Sequence, residues 1–161
     1  MKHRRGLLLL LLTATVLAGC GGAHDTSTLI GAAREGDLAA MNKQLDQGAG
    51  VNQSAGVNNW TVLQHAIHKN QPQAVDLLLA KGADPNLAHG KMTPLMMAAG
   101  YGYDGIVRSL LKYGADPKVR NSDGKTARDY AKSGVSDIDR FTYGREQSAA
   151  VAALDAKPAA H

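Results

Sequence analysis

At 161 residues, with 44% hydrophobic and 4% aromatic side chains, the chain is long enough for one packed domain and too short for several large ones. Its 18 Lys+Arg against 14 Asp+Glu give a formal net charge of +4, but three of the cations lie in the first five residues, and the near-neutral remainder does not suggest the concentrated basic stripe that a nucleic-acid partner needs. A single cysteine excludes a disulfide within the chain, so folding rests on packing alone.

The first element is a targeting segment. Lys2, Arg4 and Arg5 form a positive n-region, and residues 6–19 form an apolar run of 14 residues. A spanning helix needs about 20 apolar residues, so residues 1–19 read as a cleaved signal peptide. The run ends in Leu17, Ala18, Gly19 and Cys20, which resembles the bacterial lipobox. That resemblance implies cleavage before Cys20 and lipid attachment at that cysteine. Each buried methylene contributes about 0.8 kcal/mol, so several acyl chains would hold the protein firmly on a membrane. Residues 20–26 then carry the lipidated cysteine and a short tether. Residues 21–27 would reach roughly 23 Å if fully extended. Gly21, rather than an aspartate, follows the cysteine, which implies the outer membrane, facing the periplasm. Loss of Lys2, Arg4 and Arg5 leaves 15 Lys+Arg against 14 Asp+Glu, a net charge of +1.

From residue 27 the chain repeats itself. Ser27 opens STLIGAAREG, Thr61 opens TVLQHAIHKN, Thr93 opens TPLMMAAGYG and Thr126 opens TARDYAKSG. These starts are 34, 32 and 33 residues apart, and Gly48, Gly82 and Gly114 each follow a start by 21 residues. Such a period marks stacked repeats. Each starting Ser or Thr is expected to N-cap a helix, with Pro94 at a first helical position. Gly36, Asn70 and Gly102 lie nine residues on, where the helix is expected to stop in the left-handed region. A second helix follows, with apolar stripes Leu38, Met41 and Leu45, then Val75, Leu78 and Leu79, then Val107, Leu110 and Leu111. Gly48, Gly82 and Gly114 end these helices. Ala32, Ala33, Ala66, Ala98 and Ala99 allow the paired helices to approach closely. After TARDYA come an insert at 133–145, bearing Phe141 and Tyr143, and a C-terminal cap helix within EQSAAVAALDA. Capping of the last repeat is the role favoured for the insert. Residues 156–161 are expected to be a disordered tail. Tyr130 is assigned to packing.

The register, period and punctuation resemble the ankyrin-repeat family, whose pattern is Thr-Pro-Leu-His-x-Ala-Ala, Gly, Val-x-x-Leu-Leu and Gly-Ala-Asp-x-Asn. The resemblance covers about residues 27–132. It implies an all-α fold: a solenoid of about four stacked helix-turn-helix repeats over 27–155, with connecting β-turn fingers. Val62 departs from the usual proline, and the family's histidine position is read as Ile30, Gln64, Met96 and Arg128. The fourth repeat never reaches a Gly-Ala-Asp element.

The family also implies where a protein partner would bind, on the fingers and the exposed ends of the first helices. Carried over, those positions are Arg34, Glu35 and Asp37; Val57, Asn58, Trp60, His68, Lys69 and Gln71; His89, Met92, Tyr101 and Tyr103; Ser122, Asp123 and Lys125. Trp60, His68, Lys69, His89, Met92, Tyr101, Tyr103 and Lys125 are taken as the partner-binding set. The lone Trp and two of the five Tyr fall on this face, and interfaces favour such side chains. The resulting expectation is a monomeric, membrane-anchored, periplasmic interaction module with no catalysis, no cofactor and no metal. An immunity protein against a periplasm-targeted toxin and an adaptor for an envelope enzyme both suit it. The alternative is a metal-binding or enzymatic envelope protein using His65, His68 and His89. His65 and His68 are three apart on a helix, but no third ligand stands at a zinc-like spacing.

Overall fold

A computed structural model describes residues 27–134 and 147–156. The segment expected to be a signal peptide, Cys20 with the expected tether, Phe141 and Tyr143 with most of the expected insert, and all of the expected tail except Ala156 lie outside the described residues.

Among the described residues eight helices form two rows. The first row is α1 (Leu29–Glu35), α3 (Val62–His68), α5 (Pro94–Tyr101) and α7 (Ala127–Ser133). The second is α2 (Leu38–Asp46), α4 (Pro72–Ala80), α6 (Asp104–Lys112) and α8 (Ser148–Asp155). Each helix packs on its hairpin mate and on the next member of its own row. Ala32, Ala33, Ala66, Ala98 and Ala99 are all fully buried between them. α5, inside the stack, is buried along its whole length.

The helix boundaries follow local chemistry. Thr61, Thr93 and Thr126 cap their helices with side-chain oxygens, as expected. The first cap is Thr28 rather than Ser27: its Oγ1 accepts the Gly31 N–H at 3.0 Å. The Ser27 carbonyl instead accepts from Gln44 Nε2 at 2.8 Å, which ties the entry of α1 to α2. Asn70 ends α3 at φ 54, a left-handed conformation that asparagine tolerates better than most side chains. In the second row, Val75, Leu78, Val107 and Leu110 are fully buried. Leu38 departs from its expected place in the dry stripe and is 36% exposed, because α2 ends its row and only α4 covers it from that side. In the capping box of the fourth repeat the third helical residue is Asp129, so Arg128 does not hold that position.

Side chains also lace one finger to the next. The Asp84 N–H donates to Asn52 Oδ1 at 2.9 Å, and the Asp116 N–H donates to Asn86 Oδ1 at 2.8 Å. Asn86 Nδ2 in turn donates to the Gly114 carbonyl at 3.0 Å. The recurring asparagine of QGAGVN and KGADPN is therefore a rung between neighbouring repeats. The finger joining α2 to α3 is also the one that pairs as strands, β1 (Ser54–Ala55) with β2 (Trp60–Thr61), in antiparallel register.

The turn between paired helices locates the insertion. Asp37, Gln71 and Tyr103 each donate a backbone N–H to the alanine carbonyl five residues back, at 3.0 Å. In the fourth repeat the Gln147 N–H donates to the Ala131 carbonyl at 2.7 Å, sixteen residues back rather than five. Eleven extra residues thus enter at that turn, and α8 still takes the second-row place against α6 and α7. Ser133, expected in the insert, is the last residue of α7.

Candidate protein-binding face

The site is built on β2, α3 and the start of the next finger. Trp60 pairs with Ala55 across the hairpin, whose turn includes Gly56 at φ 83 and Asn59 at φ 50. Thr61 Oγ1 accepts the Gln64 N–H at 3.1 Å, and Gln64 Oε1 accepts the Thr61 N–H at 3.0 Å. This capping box frees Gln64 Nε2 to donate to the His89 carbonyl at 3.1 Å and the Met92 carbonyl at 2.9 Å. Gln64 is fully buried, so α3 clamps the finger that carries His89 and Met92. Asn59 Nδ2 lies 2.9 Å from His89 Nδ1, joining the same two fingers at the surface.

A row of rings runs across this junction. Trp60 meets His65 at 5.7 Å and His68 at 5.0 Å between centroids. His68 meets Tyr101 at 5.9 Å, and Tyr101 meets Tyr103 at 5.5 Å. Offset and edge contacts of this kind add to area burial, and they hold each ring for its neighbour. His68 Nδ1 stands 3.1 Å from the Tyr101 hydroxyl, a polar link between the second and third repeats.

Of the residues expected to contact a partner, the structure brings Trp60, His68, Tyr101 and Tyr103 into one chain of contacts, with His89 joined through Asn59. Trp60, His68, Lys69, His89, Met92 and Tyr103 are half-buried. Tyr101, expected on an open face, is only 5% exposed, because α5 is enclosed by repeats on both sides. It supports the row from beneath. Lys125 is exposed, with its ammonium 5.9 Å from the Tyr130 ring, and Tyr130 is packed against the core. Two of the family-implied positions are engaged structurally. Asp37 Oδ1 caps α2 by accepting the Ala40 N–H at 2.9 Å, and Gln71 Nε2 donates to the Arg34 carbonyl at 3.0 Å. Val57 stands fully exposed at the hairpin tip.

His65, His68 and His89 point to three different partners. His65 Nε2 lies 3.2 Å from the Ala55 carbonyl, whereas His68 and His89 meet Tyr101 and Asn59. Burial holds the His65 imidazole below its usual pKa. The Ala55 carbonyl opposes that shift, and the charges of Arg34, His68 and Lys69 add to it. Among the described residues no group of three His, Cys, Asp or Glu side chains could hold a metal ion.

The chain matches ankyrin repeats, in three copies, over residues 29–134. It belongs to the ankyrin-repeat family. Ankyrin repeats are a protein-interaction fold. Relatives include an ankyrin repeat-containing protein of Treponema pallidum, 32% identical over 76% of this chain and 42% of its own length. The E3 ubiquitin-protein ligase hecd-1 of Caenorhabditis elegans is 34% identical over 74% of this chain and 4% of its own. The human NAD-capped RNA hydrolase NUDT12 is 28% identical over 79% and 28%. The chain therefore spans less than half the length of each of these relatives. Among the described residues no helix is long and apolar enough to cross a membrane.

Proposed function

We propose that this ankyrin stack is a non-catalytic binding module, held on the bacterial cell envelope through Cys20 and recognising a protein partner with the face around Trp60. The observation that carries the binding role is the continuous ring row from Trp60 to Tyr103, beside which Asn59 and His89 join the two neighbouring fingers. Buried aromatic anchors inside a polar rim are what hot spots are made of. The anchor reading rests on Leu17, Ala18, Gly19 and Cys20 after a short apolar run, and Gly21 in place of an aspartate supports the outer membrane, facing the periplasm, as the location. An immunity protein that blocks a periplasm-targeted toxin and an adaptor that holds an envelope enzyme both fit this arrangement.

Two experiments test the parts separately. Metabolic labelling with a radioactive fatty acid should mark the wild-type chain and not Cys20→Ala; label retained by the variant would sink the anchor reading. Affinity capture from envelope extract should retain a protein on wild-type bait and lose it on Trp60→Ala bait. Equal capture by both, with both folded, would sink the binding-face reading.

A further inference from the structure

The last edge of the stack differs in charge from the rest. Residues 27–111 hold six Lys+Arg and six Asp+Glu, whereas residues 112–132 and 147–156, which form the last edge, hold six against four. Two of those cations stand where inner repeats serve their neighbours. Lys118 takes the place of Asn52 and Asn86, whose amides are rungs to the following finger. Arg128 takes the place of Leu29, Leu63 and Leu95, all buried. Pro117, Lys118, Arg120, Thr126, Arg128 and Leu154 line a pocket of about 390 Å³ at this edge. Pro117, Lys118, Arg120 and Arg128 are exposed, so it is an open cleft at the surface.

The pocket is arranged for an anion. Arg120 Nη1 donates to the Gly124 carbonyl at 2.7 Å, and Arg128 pairs with Asp155, so both guanidinium groups are held in place. Each retains further N–H donors for a ligand. Two nearby carboxylates are turned to the backbone: Asp116 Oδ1 accepts the Lys118 N–H at 2.8 Å, and Asp129 Oδ2 accepts the Thr126 N–H at 2.8 Å. Pro117 and Leu154 supply an apolar wall. One guanidinium is enough for a planar carboxylate, whereas Lys118 and Arg120, with the remaining N–H donors of the Asp155-paired Arg128, suit a tetrahedral group with more charge and more acceptor oxygens.

We propose that this pocket binds a phosphate group, held by Lys118, Arg120 and Arg128. The group could be free phosphate or the headgroup of an anionic phospholipid; the second source rests on the membrane-anchor reading, and the site itself does not. The test is calorimetry of the purified full chain with inorganic phosphate at constant ionic strength. Saturable binding at one site is expected, weakened about ten-fold by Lys118→Gln and by Arg120→Gln, since each removes a charge-assisted contact. Lys43→Gln on α2 makes the same change in net charge at the opposite end and should leave binding unchanged. Absence of saturable binding, or equal weakening by Lys43→Gln, would overturn the proposal. A titration with dihexanoyl phosphatidylglycerol then separates the sources. Binding tighter than that of inorganic phosphate, and lost in Arg120→Gln, assigns the headgroup; equal or weaker binding assigns the free anion.

Discussion

Gln64 connects the fold to the binding face, so its removal has a calculable cost. It is fully buried and makes three hydrogen bonds, one from the Thr61 N–H and two to the His89 and Met92 carbonyls. Each bond contributes about 1 kcal/mol net, and a buried group left unpaired costs more. Gln64→Met keeps most of the volume, and methionine already stands at the equivalent position 96, so this change isolates the polar loss. It should cost about 2–3 kcal/mol. Gln64→Ala adds a cavity and should cost roughly 3–5 kcal/mol. Urea unfolding followed by circular dichroism, with linear extrapolation to water, reads both values. Amide exchange at residues 89–92 should quicken in both variants, because their clamp is gone. If Gln64→Met unfolds within about 0.5 kcal/mol of the parent, the clamp contributes nothing and the reasoning fails.

Other consequences follow from the same geometry. Leu110→Ala and Leu78→Ala, both fully buried, should each cost about 2–5 kcal/mol in thermal or urea unfolding. Asn70→Ala should destabilise by a smaller amount and Asn70→Gly should not, because only the φ of 54 is at stake. The folded His65 imidazole has a lowered pKa, so the unfolded chain binds its proton first. Its contribution to stability is complete above about pH 6.5 and declines as pH falls from there toward the lower folded value. His65→Gln should flatten that part of the stability profile. Trp60→Ala should weaken partner binding by at least about 2 kcal/mol beyond any loss of stability from its packing on the core, measured with circular dichroism as the folding control, whereas Val107→Ala should destabilise the stack and leave the affinity of the folded protein unchanged.

Much of this architecture is legible in the sequence because it is local and repeated. Thr61, Thr93 and Thr126 announce their helices, Gly36, Asn70 and Gly102 stop them, and the 32- to 34-residue period sets the stacking. The ends are harder to read. Leu38 obeys the apolar periodicity yet lies open, because periodicity does not reveal whether a neighbour covers a face. Ser27 and Thr28 both offer a hydroxyl, and the tie between Ser27 and Gln44, 17 residues away, accompanies the choice of Thr28. The candidate face shows the same division. Repeat position alone singles out Trp60, His68 and Tyr103, whereas the burial of Tyr101 depends on packing from both sides of α5. In the sequence Gln64 stands out only as a departure from the family's histidine. The Thr61–Gln64 spacing of a capping box was the available signal, whereas its bonds to His89 and Met92 span 25 and 28 residues. The asparagine rungs carried a similar signal, since Asn52 and Asn86 recur while the third copy ends in Lys118.

The central claim is that a protein partner lies across the fingers and the ring row. Hydrogen-exchange mass spectrometry of the protein with its captured partner tests it most directly. Protection is predicted in two stretches, residues 56–69 and 89–92, with the solvent faces of α2, α4 and α6 unchanged. Protection confined to those second-row helices, with residues 56–69 exchanging as in the free protein, would contradict the claim.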